Sequence, residues 1–378
     1  MSLIIPKKEI LYAPMLGTLG GGSARGFGRY AGGAGGPRLF VHSFQNFGDS
    51  YAGGEVSTTA FTSTTTANAL QKTTTPTVGG NFPSTVADTY VHTDGKILQV
   101  TYKDSYIYLY DSDDIASGPI SNDFIGSDCR CLVTASNNSI YVFLNNGSNS
   151  VYEYTVNNSY QLYRQSSFNR PRSNTVECAV SPPNDNYLYY GDHDGYIYMV
   201  DISGGNFPNS SSYYKGITFK SLSFHHDGRL LFGGNAGEIG RINVTTGGVW
   251  NNESSRTHVW GGGGYTGSIE VDQASNVHWW RQGGYLEVTT SGLSTAGNKD
   301  YSSLVGAPAG IKAIGDYVYM GTNGVVYDSV FRYPYANFST HETMNNARLG
   351  YCNELTTDVR TDDNTARNLE NAGLAFRP

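Results

Sequence analysis

The sequence predicts an all-β protein of the β-propeller class. A hairpin of two short apolar and aromatic runs, joined by a polar or glycine-rich turn, recurs six times. The second runs begin near residues 106, 151, 196, 238, 285 and 325, so the successive steps are 45, 45, 42, 47 and 40 residues. No helical pattern separates the hairpins. A period in the low forties that is built from strands is typical of propeller blades.

The predicted strands are apolar on both faces, as in residues 106–110 (YIYLY) and 196–200 (YIYMV). Side chains of a strand point alternately to opposite faces, so such a strand needs cover on both sides. Parallel sheets obtain this cover from helices, which the sequence does not predict here. Small sheets stacked around a ring cover both faces. A two-layer sandwich is the main alternative, but it gives no reason for a fixed period.

A short run upstream of most hairpins predicts an innermost strand, because small and aliphatic side chains suit a crowded axis. These runs are residues 129–133, 176–180, 220–224, 268–271 and 311–314. A fourth, outer strand is weaker in the sequence, as edge strands often are. We therefore expect six blades, with seven as the alternative if the weak region 57–73 pairs with the end of the chain.

Three parts of the chain are predicted: a glycine-rich N-terminal arm (1–45), a β-propeller (46–350) and a C-terminal tail (351–378). Ten of the residues between 17 and 36 are glycine. Glycine buries no side chain and loses the most entropy on ordering, so this stretch cannot form a core and predicts an extended arm. In the tail, residues 365–372 are the best candidate for a short helix, capped by residues 362–364.

The arm combines an apolar head with aromatic and basic residues placed among the glycines. This pattern predicts a segment that inserts into a neighbouring subunit, although an end without a partner is the plainer interpretation. The predicted anchoring residues are Leu11, Tyr12, Met15, Leu16, Arg25, Phe27, Arg29 and Tyr30.

Composition limits the partners. Charged residues make up 15% of the chain and its net charge is −7, whereas ordinary soluble proteins carry roughly 25% charge. A polar surface with little charge suits assemblies and extracellular particles. Net negative charge disfavours nucleic acid as a partner. No apolar run is long enough to predict a membrane span, and the first residues do not follow the order of a secretory signal.

The sequence contains no established motif for catalysis, and we predict no catalytic residues, no metal site and no cofactor. The segment His225-His226-Asp227-Gly228 is interpreted as a turn, since Asp-Gly is a turn dipeptide. The turn 192–195 (DHDG) resembles the start of a calcium loop but lacks the later carboxylate, so calcium is only an alternative. The cysteines do not have zinc-site spacing and are interpreted as small buried apolar residues.

Aromatic residues give the best prediction of a binding surface. Trp260 lies beside four consecutive glycines, which are followed by Tyr265. Aromatic side chains on loops bind sugars and proteins through a flat apolar face with a polar edge. Trp260 and Tyr265 are therefore the predicted ligand or receptor contacts. At least one of Trp279 and Trp280 is expected to pack between blades.

The segment Leu11-Tyr12-Ala13-Pro14-Met15-Leu16, followed by the glycine-rich stretch 20–28, resembles the opening of virion structural proteins of tailed bacteriophages, especially marine ones. The resemblance implies a non-enzymatic tail, tail-tip or fibre protein that is made in the host cytoplasm and located in the virion. It implies an arm that anchors in other virion proteins, within a homo-oligomer or symmetric assembly. The propeller would then face outward, toward a glycan or protein of the host surface.

Two other functions are compatible with the sequence. One is an extracellular propeller that binds glycans through aromatic loop residues. The other is a propeller enzyme, such as a lyase or a quinoprotein-like dehydrogenase, whose site lies in the axial funnel and requires acid, base or metal groups on one rim.

Overall fold

The structure is a computed structural model. It describes residues 38–44, 51–57, 86–91, 97–101, 105–110, 119–127, 129–135, 138–144, 151–172, 174–181, 186–204, 209–244, 248–261, 264, 266–303, 308–322, 329–344 and 351–357. Every regular element in these residues is a β-strand. None of the described segments forms a helix of the length and apolarity that crossing a membrane requires. The helix predicted over 365–372 lies outside the described residues.

The strands, in chain order, are β1 (Arg38–Phe44), β2 (Tyr51–Ser57), β3 (Val86–Val91), β4 (Ile97–Thr101), β5 (Tyr106–Tyr110), β6 (Pro119–Phe124), β7 (Cys129–Thr134), β8 (Ile140–Leu144), β9 (Val151–Val156), β10 (Leu162–Phe168), β11 (Val176–Val180), β12 (Tyr187–Asp192), β13 (Tyr196–Asp201), β14 (Asn209–Tyr214), β15 (Phe219–Phe224), β16 (Leu230–Gly234), β17 (Glu238–Val244), β18 (Trp250–Thr257), β19 (Thr266–Val271), β20 (Val277–Arg281), β21 (Tyr285–Thr289), β22 (Thr295–Asp300), β23 (Pro308–Ile314), β24 (Tyr317–Thr322), β25 (Ser329–Pro334), β26 (Glu342–Met344) and β27 (Tyr351–Thr357).

These strands form six four-stranded sheets and one three-stranded sheet. Each four-stranded sheet is antiparallel and is built from four consecutive strands, β3–β6 through β23–β26. The predicted hairpins are confirmed as β4–β5, β8–β9, β12–β13, β16–β17, β20–β21 and β24–β25. The predicted upstream runs are confirmed as the first strands of their sheets.

The three-stranded sheet has the order β2-β1-β27, so it combines both ends of the described chain. Strand β1 lies within the range predicted as arm, and β27 lies within the range predicted as tail. Strand β2 shares only its last residue, Ser57, with the weak region 57–73, and residues 58–85 lie outside the described part of the chain. The predicted alternative of seven blades rests on pairing of residues 57–73 with the end of the chain, whereas the strand that pairs with β27 is β1.

The sheets follow one another through their first strands. Each first strand contacts the first strand of the next sheet, in the order β3, β7, β11, β15, β19 and β23. Strand β27 of the three-stranded sheet contacts both β23 and β3. Each first strand of the four-stranded sheets carries a β-bulge near its start, which bends and twists the strand. The extra residues are Ala87, Arg130, Glu177, Lys220, Gly267 and Ala309.

The core lies between neighbouring sheets. Strands β8 and β16 are buried at every position, which confirms that the central strands are covered on both faces. One apolar cluster joins Phe143 of β8 to Tyr190 of the next sheet, and another joins Trp280 of β20 to Phe331 of β25. Trp279 and Trp280 are both 0% exposed, as expected for at least one of them. The fourth strands β6, β10, β18 and β22 instead consist of half-buried and exposed residues, which explains their weak pattern.

Close approach of the sheets requires glycine at two equivalent positions of second strands. A Cβ on Gly191 would lie 2.7 Å from the Phe219 Cβ of the next sheet. A Cβ on Gly233 would lie 2.9 Å from the Thr266 carbonyl oxygen of the next sheet and 2.5 Å from Ser221 Oγ. Backbone cannot yield as a flexible side chain can, so an added methyl group would push the sheets apart.

We expect Gly233→Ala to lower the free energy of unfolding by about 1–3 kcal/mol, because it overpacks this contact. Gly204→Ala is the matched control, since nothing lies within 4 Å of a Cβ at Gly204. Urea unfolding of both variants and the wild-type protein measures the difference. Equal loss in the two variants would show that the sheets are not in tight contact at Gly233.

Candidate functional site

One face of the molecule carries the turns between second and third strands together with the connections that lead to the next sheet. Backbone hydrogen bonds of 2.7 to 2.9 Å join turn and connection: Ile125 N to Ser105 O, Lys215 N to Gly195 O, His258 N to Gly237 O, and Tyr301 N to Gly284 O. We call this surface the turn face. It gathers chain segments that are far apart in sequence, so it is the natural place for a composite site.

Trp260 lies on the turn face, in the connection between β18 and β19, and its side chain is half-buried. Its ring stacks on His258 with centroids 5.2 Å apart and packs against Tyr285 at 5.3 Å. The His258 ring contacts the edge of the buried Trp279 at 4.6 Å. Trp260 is thus the outer member of an aromatic column that begins in the core. Tyr265, its predicted neighbour, lies outside the described residues.

A buried carboxylate holds the connection that carries Trp260. Glu287 of β21 is 0% exposed, and its Oε1 lies 2.7 Å from the Arg256 guanidinium. Its Oε2 accepts a hydrogen bond of 2.9 Å from the backbone N–H of Val259, the residue before Trp260. Burial raises the pKa of Glu287, and the bonds to Val259 and Arg256 oppose that rise. The carboxylate therefore serves to fix the connection.

His258, next to this carboxylate, is uncharged at neutral pH. Burial and then the nearby positive charge of Arg281 lower the pKa of His258 to about 4. The column of Trp279, His258 and Trp260 therefore presents aromatic surface without a charge of its own.

Arg281 completes the site. Its Cζ lies 5.2 Å from the ring centroid of Tyr285, a cation–π contact. Its Nε is buried and has no hydrogen-bond partner among the described residues. We call Trp260, Tyr285 and Arg281 the Trp260 platform. Of these three residues the sequence indicated only Trp260, because Arg281 comes to lie opposite Tyr285 through the pairing of β20 with β21.

A second polar cluster lies at the bulges of consecutive first strands. Lys220 Nζ lies 3.0 Å from Glu177 Oε2, and His193 Nδ1 lies 3.3 Å from Glu177 Oε1. Arg130 is the extra residue of the preceding sheet. Among the described residues, these ionisable side chains come nearest to the acid and base groups that an enzyme with a site in the axial funnel would require. Here Glu177 is shared between two cationic or potentially cationic partners and links neighbouring sheets.

The two metal-like segments of the sequence form hydrogen-bonded turns. In the turn 192–195, Asp192 Oδ1 accepts a 2.8 Å bond from the backbone N–H of Tyr196, and Asn174 donates to Asp194. In the turn after β15, His225 N bonds to Arg229 O at 2.8 Å. Within the described ranges, no three His, Cys, Asp or Glu side chains are grouped to hold a metal ion.

His278, Asp272 and Tyr333 form a buried group whose residue types would suit catalysis. His278 Nε2 lies 2.8 Å from Asp272 Oδ2, and His278 Nδ1 lies 3.2 Å from the Tyr333 hydroxyl. All three side chains are 0% exposed, so no substrate reaches them. Tyr333 belongs to the next sheet, and the group is therefore a polar link between sheets.

Asp272 makes this link sensitive to acid. Burial would raise the pKa of Asp272, but hydrogen bonds from His278 and Asn276 outweigh it and hold the pKa below the ordinary 3.8. A carboxylate with a lowered pKa stabilises the folded state above its unfolded pKa and loses that contribution as the pH falls through its folded pKa.

We expect Asp272→Asn to lower the free energy of unfolding at pH 7 by about 1–3 kcal/mol, because it replaces a buried carboxylate that accepts hydrogen bonds from His278 and Asn276. The difference from wild type should shrink as the pH falls below 3.8, where the wild-type carboxyl group itself becomes protonated. Urea unfolding between pH 7 and pH 3 measures this, with Asp316→Asn at an exposed turn as the control. A difference that does not depend on pH would contradict the assignment.

No protein-family model matches the chain, and no curated protein matches it in sequence. Solved structures do resemble it. Virginiamycin B lyase from Staphylococcus aureus gives a TM-score of 0.53 at 16% identity, covering 68% of this chain and 83% of the lyase chain. A protein from Lactobacillus plantarum gives 0.66 at 12% identity, covering 85% and 99%. A chain of a mitotic checkpoint complex gives 0.56 at 12% identity, covering 73% and 87%.

The fold is that of a β-propeller. At these identities the likeness shows the fold alone, and it confirms the predicted class. The predicted anchoring residues of the arm lie outside the described residues: Leu11, Tyr12, Met15, Leu16, Arg25, Phe27, Arg29 and Tyr30.

Proposed function

We propose that this propeller is a non-enzymatic binding protein whose contact surface is the turn face. The observation that carries the proposal is the Trp260 platform, where a half-buried tryptophan, a tyrosine and an arginine that stacks on the tyrosine ring meet. Tryptophan, tyrosine and arginine are the residue types most enriched among those that dominate the binding energy of protein interfaces. The nearby carboxylate Glu287 is occupied in holding the connection.

We also propose that the wheel has seven blades. Support comes from the three-stranded sheet β2-β1-β27 and from the contacts of β27 with both β23 and β3. A blade made from both chain ends would close the ring and protect the edges that an open array would leave.

We further propose that the protein is a structural component of a tailed-phage particle. The support is the N-terminal sequence, with its apolar head and glycine-rich stretch, together with the low charge of the chain. In this function the part of the predicted arm that precedes β1, residues 1–37, anchors the propeller in neighbouring virion proteins, and the turn face points outward toward the host.

Mass spectrometry of purified particles tests this role, and we expect the protein at the stoichiometry of a structural subunit. A variant that lacks residues 1–37 should keep the wild-type unfolding midpoint, because β1 begins at Arg38, but should be absent from particles. Absence of the full-length protein from particles would refute the proposal. Incorporation of the shortened variant would refute only the anchoring function.

Glycan binding is the second candidate, and the Trp260 platform favours it. Trp260→Ala should weaken glycan binding about tenfold or more, since one stacked aromatic ring contributes roughly 1–3 kcal/mol to comparable stacking contacts. Tyr163→Ala is the matched control, because Tyr163 is 47% exposed and lies at the start of β10, away from the turn face. A glycan array with both variants measures the effect. An unchanged profile for Trp260→Ala would exclude this surface.

The enzyme alternative depends on Glu177, Lys220 and His193. We propose that these residues are structural, because Lys220 and His193 pair with the same carboxylate and join bulged strands of adjacent sheets.

A further inference from the structure

We infer that the turn face carries a second platform, formed by Tyr196, Tyr214 and Arg172, and that the two platforms together bind a glycan bearing carboxylate groups. This inference rests on the proposed binding function and names the class of ligand. It adds two arginines to the tryptophan that the sequence indicated.

The two platforms are built on equivalent positions. Tyr196 and Tyr285 are each the first residue of a third strand and each follow a turn glycine, Gly195 and Gly284. Each of these tyrosines therefore begins its strand at the turn face. The same register that places Tyr196 opposite Tyr214 places Tyr285 opposite Asp300.

The second platform has the same parts as the first. The Tyr214 ring lies 4.7 Å from the Tyr196 ring, and Tyr214 is 62% exposed. The Arg172 Cζ lies 4.0 Å above the Tyr196 ring centroid. In the first platform Trp260 takes the place of Tyr214, and Arg281 takes the place of Arg172. Each platform is thus an aromatic pair with one guanidinium over the strand tyrosine.

The two arginines differ from most others in the described residues. Arg172 and Arg281 make no described ion pair or hydrogen bond, and their contact is the face of a tyrosine ring. Five other arginines form salt bridges of 2.6 to 3.1 Å with carboxylates: Arg164, Arg229, Arg241, Arg256 and Arg332. Arg170, another described arginine with no described carboxylate partner, is buried and donates to the backbone carbonyl oxygens of Asn174 and Leu144. Arg172 and Arg281 instead lie on the turn face, each against a tyrosine ring.

This chemistry selects the ligand. A guanidinium group binds a carboxylate through two parallel N–H···O bonds, and the ring of a sugar packs its C–H face on an aromatic side chain. Nearby carboxylates are already occupied, since Glu287 pairs with Arg256 and Glu238 pairs with Lys215. Three aspartates near the platforms accept hydrogen bonds within the protein: Asp194 from Asn174, Asp192 from the backbone N–H of Tyr196, and Asp300 from the backbone N–H of Ser302. A uronic or sialic acid therefore complements each platform in shape and in charge.

The test is a glycan array of uronic-acid and sialic-acid oligosaccharides beside their methyl esters, followed by titration calorimetry with the best acidic oligosaccharide. We expect the acids to bind at least tenfold more tightly than the esters. Arg172→Ala and Arg281→Ala should each weaken binding about tenfold, which corresponds to one charge-assisted contact. Arg172→Lys, which keeps the charge but loses the planar fork, should lie between wild type and Arg172→Ala.

Arg229→Ala is the matched control. Arg229 follows the turn between β15 and β16, at the ends of the strands that lie opposite the turn face, and it pairs with Glu253. Unfolding midpoints of all variants exclude misfolding as the cause. Equal binding of acids and esters, unchanged binding by both arginine variants, or no binding of any acidic glycan would overturn the inference. If Trp260→Ala loses binding of neutral glycans and the arginine variants do not, the proposed binding function stands and the inference about acidic glycans fails. If Trp260→Ala binds every glycan like wild type, the Trp260 platform is not a binding surface.

Discussion

The structure depends on contact between neighbouring sheets. Central strands such as β8 and β16 are buried at every position, so a single sheet would expose apolar side chains to water on both faces. Each sheet is covered by the next, and the apolar clusters accordingly span two sheets each. Glycine at Gly191 and Gly233 is one consequence, because the backbone of one sheet must approach the strand of the next. The fold, the core and the position of any site follow from this stacking.

Polar contacts between sheets fix how they are aligned. The His278 link to Tyr333, the bond from Ser221 Oγ to Thr266 O, and the bond from His225 Nε2 to Ser275 O all cross from one sheet to the next. Apolar contact alone is tolerant of sliding, whereas a hydrogen bond is directional. Since both broad faces of each sheet are used in packing, binding is confined to the strand ends, and the turn face is the end that carries the aromatic platforms.

Much of the fold could be predicted from the sequence, because hairpins are local. The second and third strands and most of the first strands were located from apolar runs and turn residues within a few positions. The sheet β2-β1-β27 could not be predicted in the same way, since β1 and β27 are separated by nearly the whole chain and pair only in the folded state. Of the candidate site, Trp260 stood out beside its glycines, whereas Tyr285, Arg281, Tyr196 and Arg172 resemble ordinary strand and loop residues. The role of Arg172 and Arg281 depends on which tyrosine ring each guanidinium covers. Strand pairing and the course of the connecting loops determine which ring that is.

The strand that follows the arm is held on both sides. Strand β1 is hydrogen-bonded to β2 along one edge and to β27 along the other, all antiparallel. The chain enters β1 opposite the last residue of β2, Ser57, but it enters β27 at the other end, where Tyr351 lies opposite Phe44. A pull on the chain before Arg38 would therefore act in shear along the ladder between β1 and β27, whose hydrogen bonds would share the load. Such a seam resists mechanical load far better than a hairpin peeled from its end. A propeller tethered by its first residues could withstand drag without opening at the place where its two ends meet.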